Sequence, residues 1–375
     1  MRIGVPREIK DGERRVGVTP EGVRCLVGDG HVVVVEAGAG AAVGISDAAY
    51  AAAGATIAPS SDAVWTCALI VKVKELQPAE FAHLVAGTTV FGFAQLNRDP
   101  ALLAAVRKAA IQVIGYETVR DEAGRLPLLA PMSRIAGRLA PFVGAQALMT
   151  ERGGAGVLLP GVDDVPGASV VVIGAGNVGG EAARIATRMG ARVTLVSRGA
   201  ARRDALAAAL AAEGHPITAF GFVDAADSRF ADAVVAADLV IGGVLEPGTL
   251  SPKLISRALV AAMRPGSVIV DVGIDQGGIA ETSRMTKLSD PTYVECGVVH
   301  YAVPNMPALV ARTATLALTQ ATLPAIRAMA GKGIAGALAD DAGLNAGAMV
   351  RDGAIVHAGL AADAAAHHGR HTRAA

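Results

Sequence analysis

The chain is 375 residues long, which is enough for two domains that each bury a full core. Lysine plus arginine equals aspartate plus glutamate at 34 each, and aromatic residues make up only 3%. These values exclude a strongly basic surface and a stacking platform for nucleic acid. No apolar stretch reaches the roughly 18 residues that span a bilayer, and the chain starts with charged residues. We expect a cytoplasmic protein with neither nucleic-acid nor membrane partners.

Strand and helix patterns alternate along the chain. Buried strands are predicted at residues 32–35, 69–71, 89–91 and 113–114, with helices at residues 20–29 and 100–110. Longer helices near residues 133–152 and 309–330 flank a central region with further strands. This alternation is typical of an α/β fold with parallel sheets. We predict two Rossmann-like, doubly wound parallel-sheet domains with an interdomain cleft. Residues 1–128 and 306–375 would form a discontinuous substrate domain, and residues 129–305 a dinucleotide-binding domain.

A glycine-rich turn follows the apolar run at residues 169–173. It is followed by a helical pattern at residues 181–189, and its sequence is Gly174-Ala-Gly-Asn-Val-Gly179. In dinucleotide-binding folds, such glycines allow a tight turn, close approach of the backbone to the pyrophosphate, and packing of helix against strand. The pyrophosphate then lies at the helix N-terminus. Because the motif stands between a strand and a helix, we assign the following residues to a cofactor site: Gly174, Gly176, Asn177, Val178 and Gly179.

The end of the next strand, residues 191–196, indicates which dinucleotide binds. An acidic residue there binds the ribose 2′-hydroxyl of NAD, whereas arginine accommodates the 2′-phosphate of NADP. This chain has Ser197 and Arg198, followed by Arg202 and Arg203. Guanidinium groups bind a phosphate through paired hydrogen bonds. We therefore predict NADP as cofactor, with NAD as the alternative.

Two later strand patterns, at residues 238–243 and 267–271, open into glycine-containing loops. Ligands in open α/β sheets bind beyond the carboxyl ends of the strands. We therefore expect the first loop to contact the cofactor through Val244 and Leu245. The three cysteines are widely separated and predict no disulfide framework or metal site. Three histidines near the end of the chain favour a frayed helix end over a metal-binding tract: His367, His368 and His371.

Longer motifs are spread over residues 1–330. They are Arg2-Ile-Gly-Val-Pro-Arg-Glu8, Arg14-Arg-Val-Gly-Val-Thr-Pro20, Val71-Lys-Val-Lys-Glu75, Tyr116-Glu-Thr-Val119, Leu128-Leu-Ala-Pro-Met-Ser133, Asp271-Val-Gly-Ile-Asp-Gln-Gly-Gly278 and Val303-Pro-Asn-Met-Pro307. Together they resemble the alanine dehydrogenase family, which shares its fold with the nucleotide-binding subunit of proton-translocating transhydrogenases. The resemblance implies an NAD(P)-dependent amino-acid dehydrogenase that acts on L-alanine or a related small amino acid. It also implies a homo-oligomer, a hexamer in the family.

The resemblance further implies roles for individual residues. Oxidative deamination needs a cationic clamp for the carboxylate, a proton carrier and a dry slot for the nicotinamide. Arg15 and Lys74 match the family's residues that hold the substrate carboxylate and carbonyl oxygen, and Asp275 matches its catalytic aspartate. Taken alone, a single Arg or Lys is more often an exposed charge, and an Asp before two glycines is often a turn residue. Three further residues match positions that contact the cofactor: Ser133, Asn305 and Met306.

One position departs from the family pattern. Where the family has a catalytic histidine after Phe-x-Phe-x, this chain has Gln95. Histidine exchanges a proton near neutral pH, whereas glutamine donates and accepts hydrogen bonds without changing charge. Gln95 would then orient the substrate and leave proton transfer to Asp275. The small neighbours Gly92 and Ala94 suggest a roomier pocket.

Two alternatives therefore stay open. The first is an NADPH-dependent imine reductase that joins a 2-oxo acid to a larger amine, in the manner of carboxyethyl-ornithine synthase. Such a reaction depends less on rapid addition and loss of water, so a neutral Gln95 would suffice. The second is a non-catalytic dinucleotide-binding subunit or sensor. Retention of Arg15, Lys74 and Asp275 argues against that second alternative.

Overall fold

The structure, a computed structural model, describes residues 1–222, 224, 227–244 and 251–371, with side chains up to residue 365. The chain divides into two compact units. Unit 1 contains Met1–Met132 and Ala308–Ala375, and unit 2 contains Ser133–Pro307. The first boundary lies in the first turn of the helix Ala130–Ala147, and the second lies in a 3-10 helix, Met306–Val310.

The first segment of unit 1 alternates strands and helices. In chain order these are β1 (Arg2–Val5), α1 (Pro20–Gly28), β2 (Val32–Glu36), α2 (Asp47–Ala52), β3 (Thr56–Ala58), α3 (Ser61–Trp65), β4 (Leu69–Val71), β5 (Thr89–Gly92), α4 (Pro100–Lys108) and β6 (Gln112–Gly115). Both α1 and α4 begin with a proline that follows a capping side chain, Thr19 or Asp99. Proline is favoured at this position because its missing N–H would have no helical partner there.

Unit 2 repeats the alternation around its own sheet. Its elements are α5 (Ala130–Ala147), β7 (Ser169–Ile173), α6 (Asn177–Arg188), β8 (Arg192–Val196), α7 (Ala200–Ala212), β9 (Thr218–Phe220), α8 (Ser228–Val235), β10 (Leu239–Gly242), α9 (Arg257–Ala262), β11 (Val268–Asp271), β12 (Thr292–Glu295) and β13 (Val298–Tyr301). Along β7, Val170 and Val172 enter the core on one face of the sheet, and Val171 and Ile173 enter the core on the other. Burial on both faces explains the uninterrupted apolar run.

The chain then returns to unit 1. The elements of this last segment are α10 (Ala311–Lys332), α11 (Ile334–Asp340), α12 (Ala342–Asn345), β14 (Ala348–Arg351), β15 (Ala354–Ile355) and α13 (Ala358–His371). The helical backbone of α13 includes the three terminal histidines, whose side chains lie outside the described part of the chain. Within the described ranges, no helix is long and apolar enough to cross a membrane.

The two sheets have the same order over their first six strands. In unit 1 it is β3-β2-β1-β4-β5-β6-β14-β15, and in unit 2 it is β9-β8-β7-β10-β11-β13-β12. The first six strands of each sheet are parallel and follow the doubly wound order, so the predicted fold class is confirmed. The winding reverses between β1 and β4 in unit 1 and between β7 and β10 in unit 2. Ligands of such sheets bind at the carboxyl ends of the strands that flank this point.

Several elements differ from the sequence-based expectation. Both sheets carry antiparallel edge strands that were not predicted, namely β12 in unit 2 and the hairpin β14–β15 in unit 1. Helix α6 begins at Asn177, four residues before the predicted start. Gly179 and Gly180 occupy its first turn, and their poor helix propensity hides the helical pattern.

Candidate active site

The glycine turn of unit 2 requires two of its glycines for steric reasons. Gly174 has φ +103°, and a Cβ there would stand 2.8 Å from the carbonyl oxygen of Gly243. A Cβ on Gly179 would stand only 1.8 Å from the carbonyl oxygen of Gly174. Side chains are therefore excluded at both positions, because the turn, the start of α6 and the end of β10 are in direct backbone contact.

Gly176 differs from these two glycines. It is the N-cap of α6, no side chain caps the helix there, and a Cβ on Gly176 would meet no described atom within 4 Å. The open space lies against the first turn of α6, where Asn177 is exposed and Val178 is partly buried. A helix N-terminus with unpaired N–H groups and a positive dipole end suits a pyrophosphate. These residues therefore fit the group that the sequence motif predicts.

The end of β8 brings the predicted selectivity residues together. Ser197 is buried, and Arg198 and Arg202 are exposed in the turn and helix start that follow. Arg203 takes a different role. Its Nη1 donates to the carbonyl oxygen of Ser197 at 3.2 Å, and its Nε donates to Asp204 at 2.8 Å. Arg203 therefore stabilises the turn that presents the other two arginines.

The neighbouring strand ends complete the carboxyl edge of this sheet. Val244 is partly buried just beyond β10, whereas Leu245 lies outside the described residues. Asp275 is partly buried in a 3-10 helix, Val272–Gln276, directly after β11. Met306 is 2% exposed and packs in the core of unit 2. Asn305 is partly buried with φ +66°, and Ser133 is partly buried on α5.

The segment that carries Asp275 is closed by a residue that sequence reasoning placed at a strand end and in a motif but gave no role. Asp271 is 1% exposed, and its Oδ2 accepts hydrogen bonds from Ile279 N at 2.8 Å and Ser283 Oγ at 2.6 Å. Burial raises the pKa of Asp271 above its usual range, although these donors act against the shift. A Cβ on Gly278 would stand 2.4 Å from the same oxygen, which explains the second glycine of the motif.

In unit 1, Arg15 is a buried cation rather than a surface charge. It is 2% exposed, and Glu13 binds it through two bonds, Nε to Oε1 at 2.7 Å and Nη2 to Oε2 at 2.5 Å. Nη1 donates to Met132 Sδ at 3.1 Å. Such a fork fixes the guanidinium plane as well as its charge. Sequence reasoning missed Glu13, although it stands two residues from Arg15 inside a charged turn.

Lys74 is likewise buried, just beyond β4 at the point where the sheet of unit 1 reverses its winding. It is 6% exposed, and its Nζ lies 3.6 Å from Glu75 Oε2. Its backbone N–H donates to Glu8 Oε2 at 3.4 Å, and the N–H of Val73 donates to Glu8 Oε1 at 2.7 Å. Glu8 belongs to the segment after β1, so the two strand ends at the switch point are tied together. Sequence reasoning gave Glu8 no role, and the only sequence signal for it was its position inside the opening motif.

Gln95 lies beyond β5 at the same edge of the sheet. It is partly buried and has a left-handed backbone, φ +47°. The suggestion that Gly92 enlarges a pocket here stays a prediction, and a Cβ on Gly92 would face the carbonyl oxygen of Lys72 at 3.1 Å. Glycine at that position allows β5 to approach β4 closely. In unit 1, the structure thus places Arg15, Lys74 and Gln95 among the loops that follow the strands.

These features together define a class of protein. A glycine turn that fits a dinucleotide in one doubly wound unit, with buried cations beyond the strands of another, is the arrangement of a dinucleotide-dependent oxidoreductase. The N-terminal domain model of alanine dehydrogenase/PNT matches residues 4–136, and the C-terminal domain model matches residues 140–358. The chain belongs to the alanine dehydrogenase/PNT family.

Individual relatives agree over almost the whole length. The chain is 48% identical to the alanine dehydrogenase of Halomonas elongata over 362 residues, which is 96% of each chain. It is 44% identical to that of Bacillus subtilis over 364 residues, covering 97% of this chain and 94% of the relative. A solved structure of L-alanine dehydrogenase matches with a TM-score of 0.91 at 42% identity, covering 97% of this chain and 99% of that one. The predicted resemblance is confirmed, and the chain is an oxidoreductase of the alanine dehydrogenase type.

Proposed function

We propose that this protein catalyses the reversible oxidative deamination of L-alanine, or a closely related small amino acid, to the 2-oxo acid and ammonium. The observation that carries the proposal is the pair of buried cations in unit 1, Arg15 and Lys74, each with a carboxylate that supports it. Burying a cation is costly unless it is paired, and Glu13 and Glu75 hold these two charges in fixed positions. A small substrate with one carboxylate and one carbonyl or amine group suits two fixed cations.

Each residue of unit 1 takes a distinct part in this proposal. Arg15, whose guanidinium plane is fixed by Glu13, binds the substrate carboxylate. Lys74 donates a hydrogen bond to the carbonyl oxygen of the 2-oxo acid. In the amino acid, its positive charge disfavours protonation of the neighbouring substrate amine. Gln95 supplies hydrogen bonds that orient the reacting oxygen or amine, because its amide both donates and accepts.

Unit 2 contributes the dinucleotide and the proton carrier. A bound dinucleotide would supply the hydride acceptor for the substrate Cα in deamination and the hydride donor in the reverse direction. Loss of that hydride leaves an iminium that water converts to the 2-oxo acid and ammonium. We propose that Asp275 accepts and returns the protons of the water and amine, since Gln95 cannot change its charge. The exposed Arg198 and Arg202 beside Ser197 support NADP as the dinucleotide.

The test is oxidation of NADPH and, separately, NADH by the purified protein with pyruvate. Each is run with ammonium, with a panel of larger amines, and without amine. We expect turnover with ammonium and a higher kcat/KM with NADPH. A preference for NADH would contradict the cofactor proposal alone. Absence of turnover with every amine, while the dinucleotide still binds, would contradict the proposed activity.

One observation favours a second candidate. The amide of Gln95 replaces an ionisable side chain, which suits reduction of a preformed imine between the 2-oxo acid and a larger amine. The same assay distinguishes the two, because an imine reductase would turn over with a larger amine and not with ammonium.

A further inference from the structure

A partly buried carboxylate, that of Glu117, lies directly behind Gln95. Glu117 follows β6, and its Oε1 accepts hydrogen bonds from the backbone N–H groups of Gln95 at 2.9 Å and Ala94 at 3.1 Å. Oε2 lies 3.2 Å from the same Ala94 nitrogen. The side chain folds back over Gly115, where a Cβ would stand 3.2 Å from Oε2. Glu117 therefore reaches from the end of β6 to the turn after β5.

This turn needs such a partner. The regular pairing of β5 with β4 ends when Phe93 N donates to Val73 O at 3.1 Å. The chain then turns through Gln95, whose left-handed backbone is uncommon for a residue other than glycine. Two successive N–H groups leave the sheet at this point, and Glu117 accepts both. A charged acceptor makes these bonds stronger than neutral ones.

Glu117 is also electrostatically linked to the substrate clamp. Burial raises the pKa of Glu117 above its usual range, while the two backbone donors and the positive charge of Lys74 act against the shift. The carboxylate thus experiences the same cation that we assign to the substrate carbonyl. Glu117 thus accepts a hydrogen bond from the backbone of Gln95 and also interacts electrostatically with Lys74.

We propose that Glu117 is a positioning residue that fixes the turn at Ala94–Gln95 and so directs the Gln95 amide toward the reacting group of the substrate. This inference rests on the proposed function, because it assumes that the Gln95 side chain meets the substrate. Glu117 binds the backbone of position 95 and not its side chain. It would therefore hold the turn whichever side chain stands there.

The test is a double-mutant cycle on kcat with pyruvate, ammonium and the preferred dinucleotide. Glu117→Ala in the natural chain is expected to lower kcat about 100-fold, since a misplacement near 1 Å typically costs that much. Gln95→Gly removes the side chain and tolerates the left-handed backbone. In that background, Glu117→Ala should change kcat by less than about threefold, because no amide remains to be directed.

Two further readings make the outcome decisive. Glu117→Gln keeps an acceptor oxygen, so kcat should stay within about fivefold of the natural chain. Dinucleotide affinity, measured by fluorescence titration, should stay unchanged in every variant, because the binding turn lies in unit 2. An equal loss of kcat in both backgrounds would overturn the inference while leaving the proposed function in place. A natural chain with no turnover would instead contradict the proposed function itself.

Discussion

At the scale of single residues, position 95 is where the sequence motif predicts a departure from the family pattern. The backbone there is left-handed and held by Glu117, so the position can accept another side chain without rebuilding the turn. Gln95→His should add a group that titrates near pH 6.5. We expect kcat with ammonium to rise about 100-fold, the lower end of what a general acid–base group contributes.

The measurement for Gln95→His is the pH profile of kcat/KM for pyruvate and ammonium. A new limb between about pH 6 and 7 should appear in the variant and not in the natural chain. Gln95→Asn is the matched control, because asparagine also tolerates the left-handed backbone and does not titrate. Equal gains in both variants would show that histidine chemistry is not what the natural chain lacks.

A second residue-scale prediction concerns Lys72, which is fully buried beside the clamp. Its Nζ lies 2.6 Å from Glu80 Oε1 and 3.4 Å from Glu8 Oε2. Lys72→Met should destabilise the fold by about 3–5 kcal/mol at pH 7, because two carboxylates lose their buried partner. Denaturant unfolding measures this loss, and Lys108→Met on the exposed face of α4 is the control.

The pH dependence of that loss has a definite sign. Burial lowers the pKa of Lys72, but Glu8 and Glu80 raise it by more, so the folded pKa lies above the unfolded one. Its contribution is therefore complete below about pH 10 and is lost as the pH rises through the folded pKa. In Lys72→Met, burial favours the protonated forms of Glu8 and Glu80. The loss in free energy of unfolding relative to the natural chain should therefore become smaller as the pH falls toward about 5. A deficit that grows on acidification would contradict this assignment.

At the scale of elements, the turn between β7 and α6 offers a matched pair of substitutions. Gly176→Ala adds a methyl group in open space at φ −77°, so the fold should be unchanged. Gly179→Ala adds a methyl group 1.8 Å from the carbonyl oxygen of Gly174, so β7 and α6 must separate. Thermal unfolding should give Gly176→Ala the same Tm as the natural chain and Gly179→Ala a strongly lowered Tm.

The same pair separates folding from cofactor binding. Gly176→Ala should weaken dinucleotide binding at least tenfold, because the methyl group occupies the space where the pyrophosphate approaches the backbone. Fluorescence titration with NADPH and NADH measures the affinity. Unaltered binding in Gly176→Ala would mean that the pyrophosphate does not lie over α6.

The elements also show what the sequence can and cannot predict. Parallel strands such as β2 and β7 were predicted well because burial on both faces leaves a continuous apolar run. The hairpin β14–β15 was not, since Ala348–Arg351 and Ala354–Ile355 are short and carry no alternating pattern. Arg15 and Lys74 could be named from motifs. The contact of Glu8 with the backbone of Lys74 depends on which strand ends meet in space, and local patterns do not encode that.

At the scale of the whole molecule, the two units have the same winding and different chemistry. In unit 2 the loop after β7 is rich in glycine and presents backbone N–H groups, which suit phosphates. In unit 1 the loops after β1 and β4 are rich in charge, with Glu8 bound to the backbone of Lys74. In the proposed function, the same switch point serves a dinucleotide in one unit and a small carboxylate in the other, so loop composition rather than topology would select the ligand.

This division of roles predicts how ligands stabilise the chain. A dinucleotide at 100 times its Kd should add about 2.7 kcal/mol to the free energy of unfolding and raise Tm by several degrees. Adding pyruvate to the dinucleotide complex should raise Tm further. Arg15→Lys should keep the first increase and lose most of the second, because lysine cannot form the fork with Glu13.

Gly176→Ala should lose at least about half of the first increase at the same dinucleotide concentration, because tenfold weaker binding lowers it from about 2.7 to about 1.4 kcal/mol. Arg14→Lys is the control for charge-preserving change, since Arg14 is exposed beside Arg15 and should respond like the natural chain. Differential scanning fluorimetry across these variants and ligands measures every arm. Loss of the dinucleotide response in Arg15→Lys would contradict the assignment of carboxylate binding to unit 1 and phosphate binding to unit 2.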